Sequence, residues 1–389
     1  MELKLGYKQT ELGIIPEDWD VKQISEISNP VRGGSPRPAG DPKFFNGSYI
    51  PWLTVAALTN LPFSQIFVYK TETFLTELGS QFSRKLEKGT VIIANSGATL
   101  GVAKILGITC CANDGIAALK EINSGINEQY LVYFINTKIK YLREVVATGN
   151  GQPNLNTSLI GLIKVPLPPS YEEQTAIANA LSDMDALIAQ TEKLIEKKKA
   201  IKQGAMHELL KPKEGWVTKK LGDVCEIKKG QLITDSTRIN GSIPVIAGGK
   251  SPAYYHNKAN RLGKTITISG SGASAGYVAF HTQPIFASDC STISEAKNYK
   301  LEFIFYWLQL NQFRIYKMQT GGAQPHIHPS DLNPLEFNLP PIEQQNEISD
   351  ALYCADLEIS FLELKLNKLK RQKQGMMQVL LTGKIRLVS

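Results

Sequence analysis

The strongest constraint on this chain is that it writes one long helix twice. KQGAMHELL closes a charged segment at Leu210, and KQGMMQVLL closes another at Leu381; six of the nine positions agree at an offset of 171 residues. In the second copy an apolar stripe runs Ile348, Leu352, Ala355, Ile359, Leu362, Leu366, Leu369, Lys373, Met376, Leu380. Its steps alternate four and three, the seam of a coiled coil. The first copy, in the same register, runs Ile177, Leu181, Met184, Ile188, Thr191, Ile195, Lys198, Lys202, Ala205, Leu209. Each segment follows Leu-Pro-Pro, opens with acidic residues and ends in lysines, an order that suits the helix dipole. About 39 residues make each helix roughly 58 Å long. Two ordinary amphipathic helices, each lying on its own domain, would need only two turns of stripe. Two matched seams are expected to pack on each other, antiparallel because a globular segment lies between them. The polar seam positions Thr191, Lys198, Lys202 and Lys373 either fix register or leave room for a partner helix.

The repeat extends upstream. Gln152-Pro153 matches Gln324-Pro325, and Leu167-Pro168-Pro169 matches Leu339-Pro340-Pro341. Trp19 opens WDVKQISEI and Trp216 opens WVTKKLGDV; NSGATLGVA echoes GSGASAGYV, and INEQYLVYFI echoes KLEFIFYWLQ. TVIIANSG and TITISGSG read as buried strands ending in glycine-rich turns. The fold class expected is mixed α/β, a tandem repeat with pseudo-twofold character, with two globular parts joined by two long antiparallel coiled-coil helices. The boundaries expected are an arm 1–16, globular domains 17–170 and 212–341, helices 171–211 and 342–381, and a tail 382–389.

Other classes are disfavoured. No run of 18 or so apolar residues is long enough to span a membrane, and MELKLGYKQTELG lacks the apolar core of a signal peptide. Five cysteines without a Cys-x-x-Cys pair suggest reduced thiols and a cytoplasmic protein. GSGASAG lacks the Gly-x-Gly-x-x-Gly spacing of a dinucleotide loop, and His326 with His328 has no further ligands nearby in sequence for a metal. No cofactor, metal or catalytic group is expected. The net charge of +7 tilts mildly toward an anionic partner.

The order of these motifs, repeated twice over nearly the whole chain, resembles the specificity subunit of type I restriction–modification systems. YKQTELGIIPEDWDV, both Gln-Pro…Leu-Pro-Pro…Glu-Gln segments, both helices and the closing LLTGKIRLVS carry the resemblance. It implies a non-catalytic subunit with two target recognition domains, each reading one half of a split site in double-stranded DNA. It also implies that the paired helices act as spacer and docking surface for two methyltransferase subunits, joined by restriction subunits. The N-terminal arm and C-terminal tail would together complete the equivalent of the mid-chain junction. The rival reading is a coiled-coil assembly adaptor that reads no DNA.

Base reading needs polar side chains and phosphate contacts need Lys or Arg. In the first globular part the candidates are Arg32, Arg37, Lys43, Asn95, Ser96, Thr99, Asn113, Gln152 and Asn154. In the second they are Lys228, Lys229, Gln231, Lys250, Tyr254, Tyr255, His256, Lys258, Arg261, Ser271, Ser274, Gln324 and His326. The recurrence of NSGATLG/GSGASAG and of Gln-Pro in both parts favours a scaffold role for those turns.

Overall fold

A computed structural model describes residues 5–147, 153–237, 239–294, 299–321 and 324–387. The chain divides into two compact units, Met1–Lys193 with Leu364–Ser389, and Leu194–Glu363. Each helix of 39 residues, Tyr171–Leu209 and Ile342–Leu380, contributes one part to each unit.

In the first unit a five-stranded sheet is ordered Asn29–Arg32, Ile116–Lys120, Val91–Ala94, Ala103–Leu106, Phe67–Val68. A four-stranded sheet is ordered Thr73–Leu75, Phe45–Leu53, Cys110–Ala112, Arg84–Leu86. The central strand Val91–Ala94 is buried at every position, which is why its sequence is continuously apolar rather than alternating. Helix Glu128–Thr137 packs Tyr130, Leu131 and Phe134 into the same core as Trp19 and the helix residues Ile177, Leu181 and Leu380. Beyond it come a short helical turn, Ile139–Tyr141, and a π-turn, Leu142–Val146.

The second unit repeats this plan with fewer strands. Its four-stranded sheet runs Lys228–Lys229, Cys290–Ile293, Thr265–Ser269, Val278–His281, and its three-stranded sheet runs Tyr254–His256, Ile243–Ile246, Phe286–Ala287. Strand for strand these match the two larger sheets of the first unit, which extend them by Phe67–Val68 and Arg84–Leu86. The one parallel pairing of each smaller sheet recurs as well, Trp52 and Leu53 beside Cys111 and Ala112, and Val245 and Ile246 beside Phe286 and Ala287. A two-stranded sheet enters each long helix: Asp20–Gln23 with Lys164–Leu167, and Val217–Lys220 with Glu336–Leu339.

Within the first unit Asp185 pairs with Lys373 and Glu192 with Lys370, so rising numbers on one helix meet falling numbers on the other. The second unit does the same with Lys198–Glu358 and Lys202–Asp356. The helices are therefore antiparallel in each unit. Ile177, Leu181, Ile188, Ile195, Ile348, Leu352, Ile359, Leu362 and Leu380 are buried, and Met184, Leu209, Leu366 and Leu369 are half-buried.

The Leu-Pro-Pro…Gln repeat has a structural reason. In the first unit Gln174 accepts from the Asn127 amide at 2.8 Å and donates to the Pro168 carbonyl. In the second, Gln345 accepts from the Lys300 amide at 2.9 Å and donates to the Pro340 carbonyl. Each glutamine ties the helix entry to the start of the globular helix, satisfying backbone groups that would otherwise be buried unpaired. The chain ends also meet in the first unit: Arg386 bonds Asp18 at 3.0 Å and Glu173 at 2.7 Å, and the Tyr7 hydroxyl donates to the Gly383 carbonyl at 3.1 Å.

Candidate nucleic-acid interface

The turns after the central strands bring the first-unit candidates together. Gly97 and Gly101 have φ of 74° and 84°, the left-handed region that disfavours side chains. Gly272 and Gly276 in the second unit have φ of 79° and 83°. The recurrence of NSGATLG and GSGASAG is thus a shared backbone turn, closed in both units by the same bond, Gly101 to the Ala94 carbonyl and Gly276 to the Ser269 carbonyl, each 2.7 Å.

A second close approach sets the floor of the site. A Cβ on Gly33 would lie 2.1 Å from the Asn113 carbonyl oxygen, and one on Gly230 would lie 2.0 Å from that of Ser288. The strand end bearing Arg32 is thereby pressed against Asn113-Asp114, and that bearing Lys229 against Ser288-Asp289. A third strut is also shared: Leu155 donates to the Asn95 carbonyl at 2.8 Å, and Ile327 to the Gly270 carbonyl at 3.0 Å.

On this frame the first unit carries a concave polar surface of about 400 Å³ lined by Arg32, Ser96, Asn113, Asp114 and Asn154. The side-chain oxygens of Asn113 and Asn154, and of Asn95 beneath them, are buried without a hydrogen-bond partner. These are three of the five such atoms found among the described residues. Leaving a buried polar group unpaired costs about 1–3 kcal/mol, so these oxygens call for a donor, from water or a polar ligand, that the protein does not supply. Asp114 organises the rim. Its carboxylate accepts from the Ser35 hydroxyl at 2.7 Å and lies 3.3 Å from Arg37 and 4.0 Å from Arg32. The Ser35 hydroxyl above all, then its own backbone amide and the two guanidinium groups, hold this carboxyl below the usual range.

The second unit has different side chains on the equivalent backbone. Where the first has Asn95, Asn113, Asn154 and Arg32, the second has Gly270, Ser288, His326 and Lys229; Asp289 stands in the place of Asp114 and accepts from the Ser271 hydroxyl. His326 bridges Ser271 and Thr320 through its backbone.

The remaining candidates are scattered. Lys43 is exposed away from the concave surface, and Thr99 lies 3.4 Å from Thr59. Gln152 lies outside the described residues. Lys228 pairs with Glu226 at 2.9 Å, and Lys250 sits over the Tyr277 ring. Tyr254 bonds the Ile233 carbonyl, while Gln231, Tyr255, Lys258 and Gln324 are exposed. Arg261 turns inward, donating to the Thr292 hydroxyl at 3.0 Å and the Asn260 carbonyl at 2.8 Å. Ser274 is half-buried within the glycine turn, and His256 is buried against Phe286. Asp114 and Asp289 were not singled out by the sequence reading. Aligning ANDG with ASDC, at the same offset as the glycine turns, is the signal that finds them.

The model of the type I restriction modification DNA specificity domain matches residues 16–202 and again 213–380. The chain belongs to this family. It is a DNA-specificity subunit, mixed α/β with two tandem specificity domains, and such subunits recognise DNA rather than catalyse and work in complex with other subunits. It is 25% identical to the type I restriction enzyme MjaVIII specificity subunit of Methanocaldococcus jannaschii, over 96% of this chain and 94% of that one. It is 31% identical to the MjaIX specificity subunit of the same organism over 58% of this chain and 55% of that one. Its fold is similar to the type I restriction–modification S subunit of M. genitalium, with a TM-score of 0.67 over 98% of each chain at 16% identity. Among the described residues no helix is long and apolar enough to cross a membrane, and no cluster of His, Cys, Asp and Glu is arranged to hold a metal.

Proposed function

We propose that each concave polar surface reads bases of one half of a split DNA site. Residues 17–170 would act as one recognition domain and residues 212–341 as the other. One observation carries the reading: the same backbone frame is built twice, with the same glycines and the same carboxylate but different polar side chains. A shared frame with exchanged side chains is what two readers of unlike half-sites require. Amide groups such as those of Asn113 and Asn154 can pair with a base edge, where Asn is suited to adenine. The basic residues at the rims, Arg37 in one unit and Lys229 in the other, serve phosphates.

On this reading the long helices, residues 171–211 and 342–381, set the gap between half-sites and dock two methyltransferase subunits, with restriction subunits joining them. Methylation and cleavage then belong to those partners. The test is to express the chain with its neighbouring methyltransferase and map methylated adenines across a genome. A split motif with a fixed gap supports the reading. N113A/N154A should alter one half-site and leave the other unchanged; loss or retention of both halves together would count against two independent readers. Inserting seven residues into both helices should lengthen the gap without altering either half.

A further inference from the structure

Apart from its concave polar surface, the first unit holds a cavity of about 890 Å³. It lies between residues 62–64, the end of helix Glu128–Thr137 and this unit's parts of the two long helices. Its lining is mostly apolar, with Phe63, Ile188, Met377 and Leu381 as the large side chains. A largely apolar cavity of this size with a few polar groups is the usual form of a small-molecule site. The wall that carries Phe63 has no equal in the second unit. Residues 54–72 join the paired strands Phe45–Leu53 and Thr73–Leu75, whereas 247–253 suffice between Ile243–Ile246 and Tyr254–His256.

Buried lysines show what the cavity is short of. In the second unit Lys202 bonds Asp356 and also the Gln309 side-chain oxygen at 3.1 Å. Its counterpart Lys373 lines the cavity, only 8% exposed, and gives two hydrogen bonds to one carboxylate, that of Asp185. Asn136 stands where Gln309 stands, three residues after the shared tyrosine, but its amide is spent on the Ala103 backbone at 2.9 and 3.1 Å. Among the described residues the third Lys373 donor therefore meets no acceptor. It has only the Phe63 and Tyr133 rings, 5.6 and 5.3 Å from the ammonium. Behind Pro62, Lys104 is buried and donates to two carbonyls without a carboxylate partner, and burial lowers its pKa to about 8.

The charges around the cavity do not cancel. Lys370 is paired with Glu192 and Lys373 with Asp185, which leaves Lys384 in the lining and Lys104 behind it. The excess is positive. An aromatic ring fits the apolar wall, where Phe63 is 51% exposed, and an acidic oxygen fits the lysines. We infer that this cavity binds a small aromatic anion, its ring against Phe63 and Met377 and its charge met by Lys373 and Lys384. The anion gives Lys373 the acceptor that Gln309 gives Lys202. The inference is independent of how the chain reads DNA.

The test is fluorescence titration of the full chain with anilinonaphthalene sulfonate and, in parallel, with the uncharged N-phenylnaphthylamine. The sulfonate should fill one saturable site per chain and bind more tightly than the amine. Phe63→Ala should weaken both probes, by about tenfold. Lys384→Glu should weaken the sulfonate by about fivefold and leave the amine unchanged. Gln374→Trp, which fills the cavity from an exposed position of its lining, should abolish both, with circular dichroism unchanged in every variant. Four results would overturn the inference. These are no saturable site, equal affinity for the two probes, sulfonate binding untouched by Lys384→Glu, and binding that survives both Phe63→Ala and Gln374→Trp.

Discussion

Lys373 of the second long helix is ion-paired to Asp185 of the first at 2.7 Å, with both side chains only 8% exposed. The Tyr133 hydroxyl donates to the same carboxylate at 2.9 Å, and the Lys373 ammonium lies over the Tyr133 ring. The second unit repeats the cluster with the helices' roles exchanged: Lys202 of the first helix pairs with Asp356 of the second at 2.6 Å, and Tyr306 donates to Asp356 at 2.9 Å. Two lysines at seam positions are thus each held by a carboxylate of the other long helix, which fixes the register of an otherwise apolar contact.

Removing one partner of the buried pair leaves an uncompensated charge. Lys373→Met should destabilise the first unit by about 3–5 kcal/mol, measured by urea denaturation. Burial outweighs Lys373 and Tyr133 and holds the Asp185 carboxyl above the usual range. Removing all the polar groups together, Asp185→Leu with Lys373→Met and Tyr133→Phe, should therefore recover most of the loss. Lys202→Met should cost less, about 1 kcal/mol, because Asp356 is 36% exposed and can turn to water.

Lys104 is buried and donates to the carbonyls of Pro62 and Gln65. Burial lowers its pKa from 10.5 to about 8. Between these values the folded chain has released a proton that the unfolded chain keeps. The associated stability is present above 10.5 and is lost as pH falls through about 8. The stability of the natural chain relative to Lys104→Met should accordingly climb from pH 8 to pH 10, by up to about 1.4 kcal/mol per unit. A flat difference would mean that the two carbonyls keep the ammonium charged throughout.

Gly33 and Gly230 test whether the two candidate surfaces are independent. An alanine at either must push aside a carbonyl about 2 Å away. Gly33→Ala should distort the first surface alone and Gly230→Ala the second alone, each costing about 1–3 kcal/mol by crowding. Methylome mapping should show one half-site relaxed in each variant and the other unchanged.

Asp114 restrains Arg32 and Arg37 at the rim of the first surface. Asp114→Asn removes a negative charge from that rim and frees both guanidinium groups. Non-specific affinity should rise and the salt dependence steepen, by about 0.9 in the log–log slope for each phosphate newly engaged. Discrimination at the first half-site should fall.

The tandem repeat, the two long helices and their seam were legible in the chain because local periodicity and proline placement carry them. So were the central strands, whose continuous apolar runs need no partner to be recognised. The break after Thr137 was not, since Ile139–Val146 keeps a helical composition although it divides into an α-turn, Ile139–Tyr141, and a π-turn, Leu142–Val146. At the candidate site, sequence supplied Arg32, Asn95, Asn113 and Asn154 as polar residues in loops, among several others that lie elsewhere. Only the tertiary structure could gather those four on one frame, turn Arg261 inward, and bring Asp114 to the arginines. Helix period is a property of neighbours three and four apart, whereas the candidate surface gathers side chains as far apart in the chain as Arg32 and Asn154. Their meeting is decided by strand pairing and glycine contacts that leave no periodic trace.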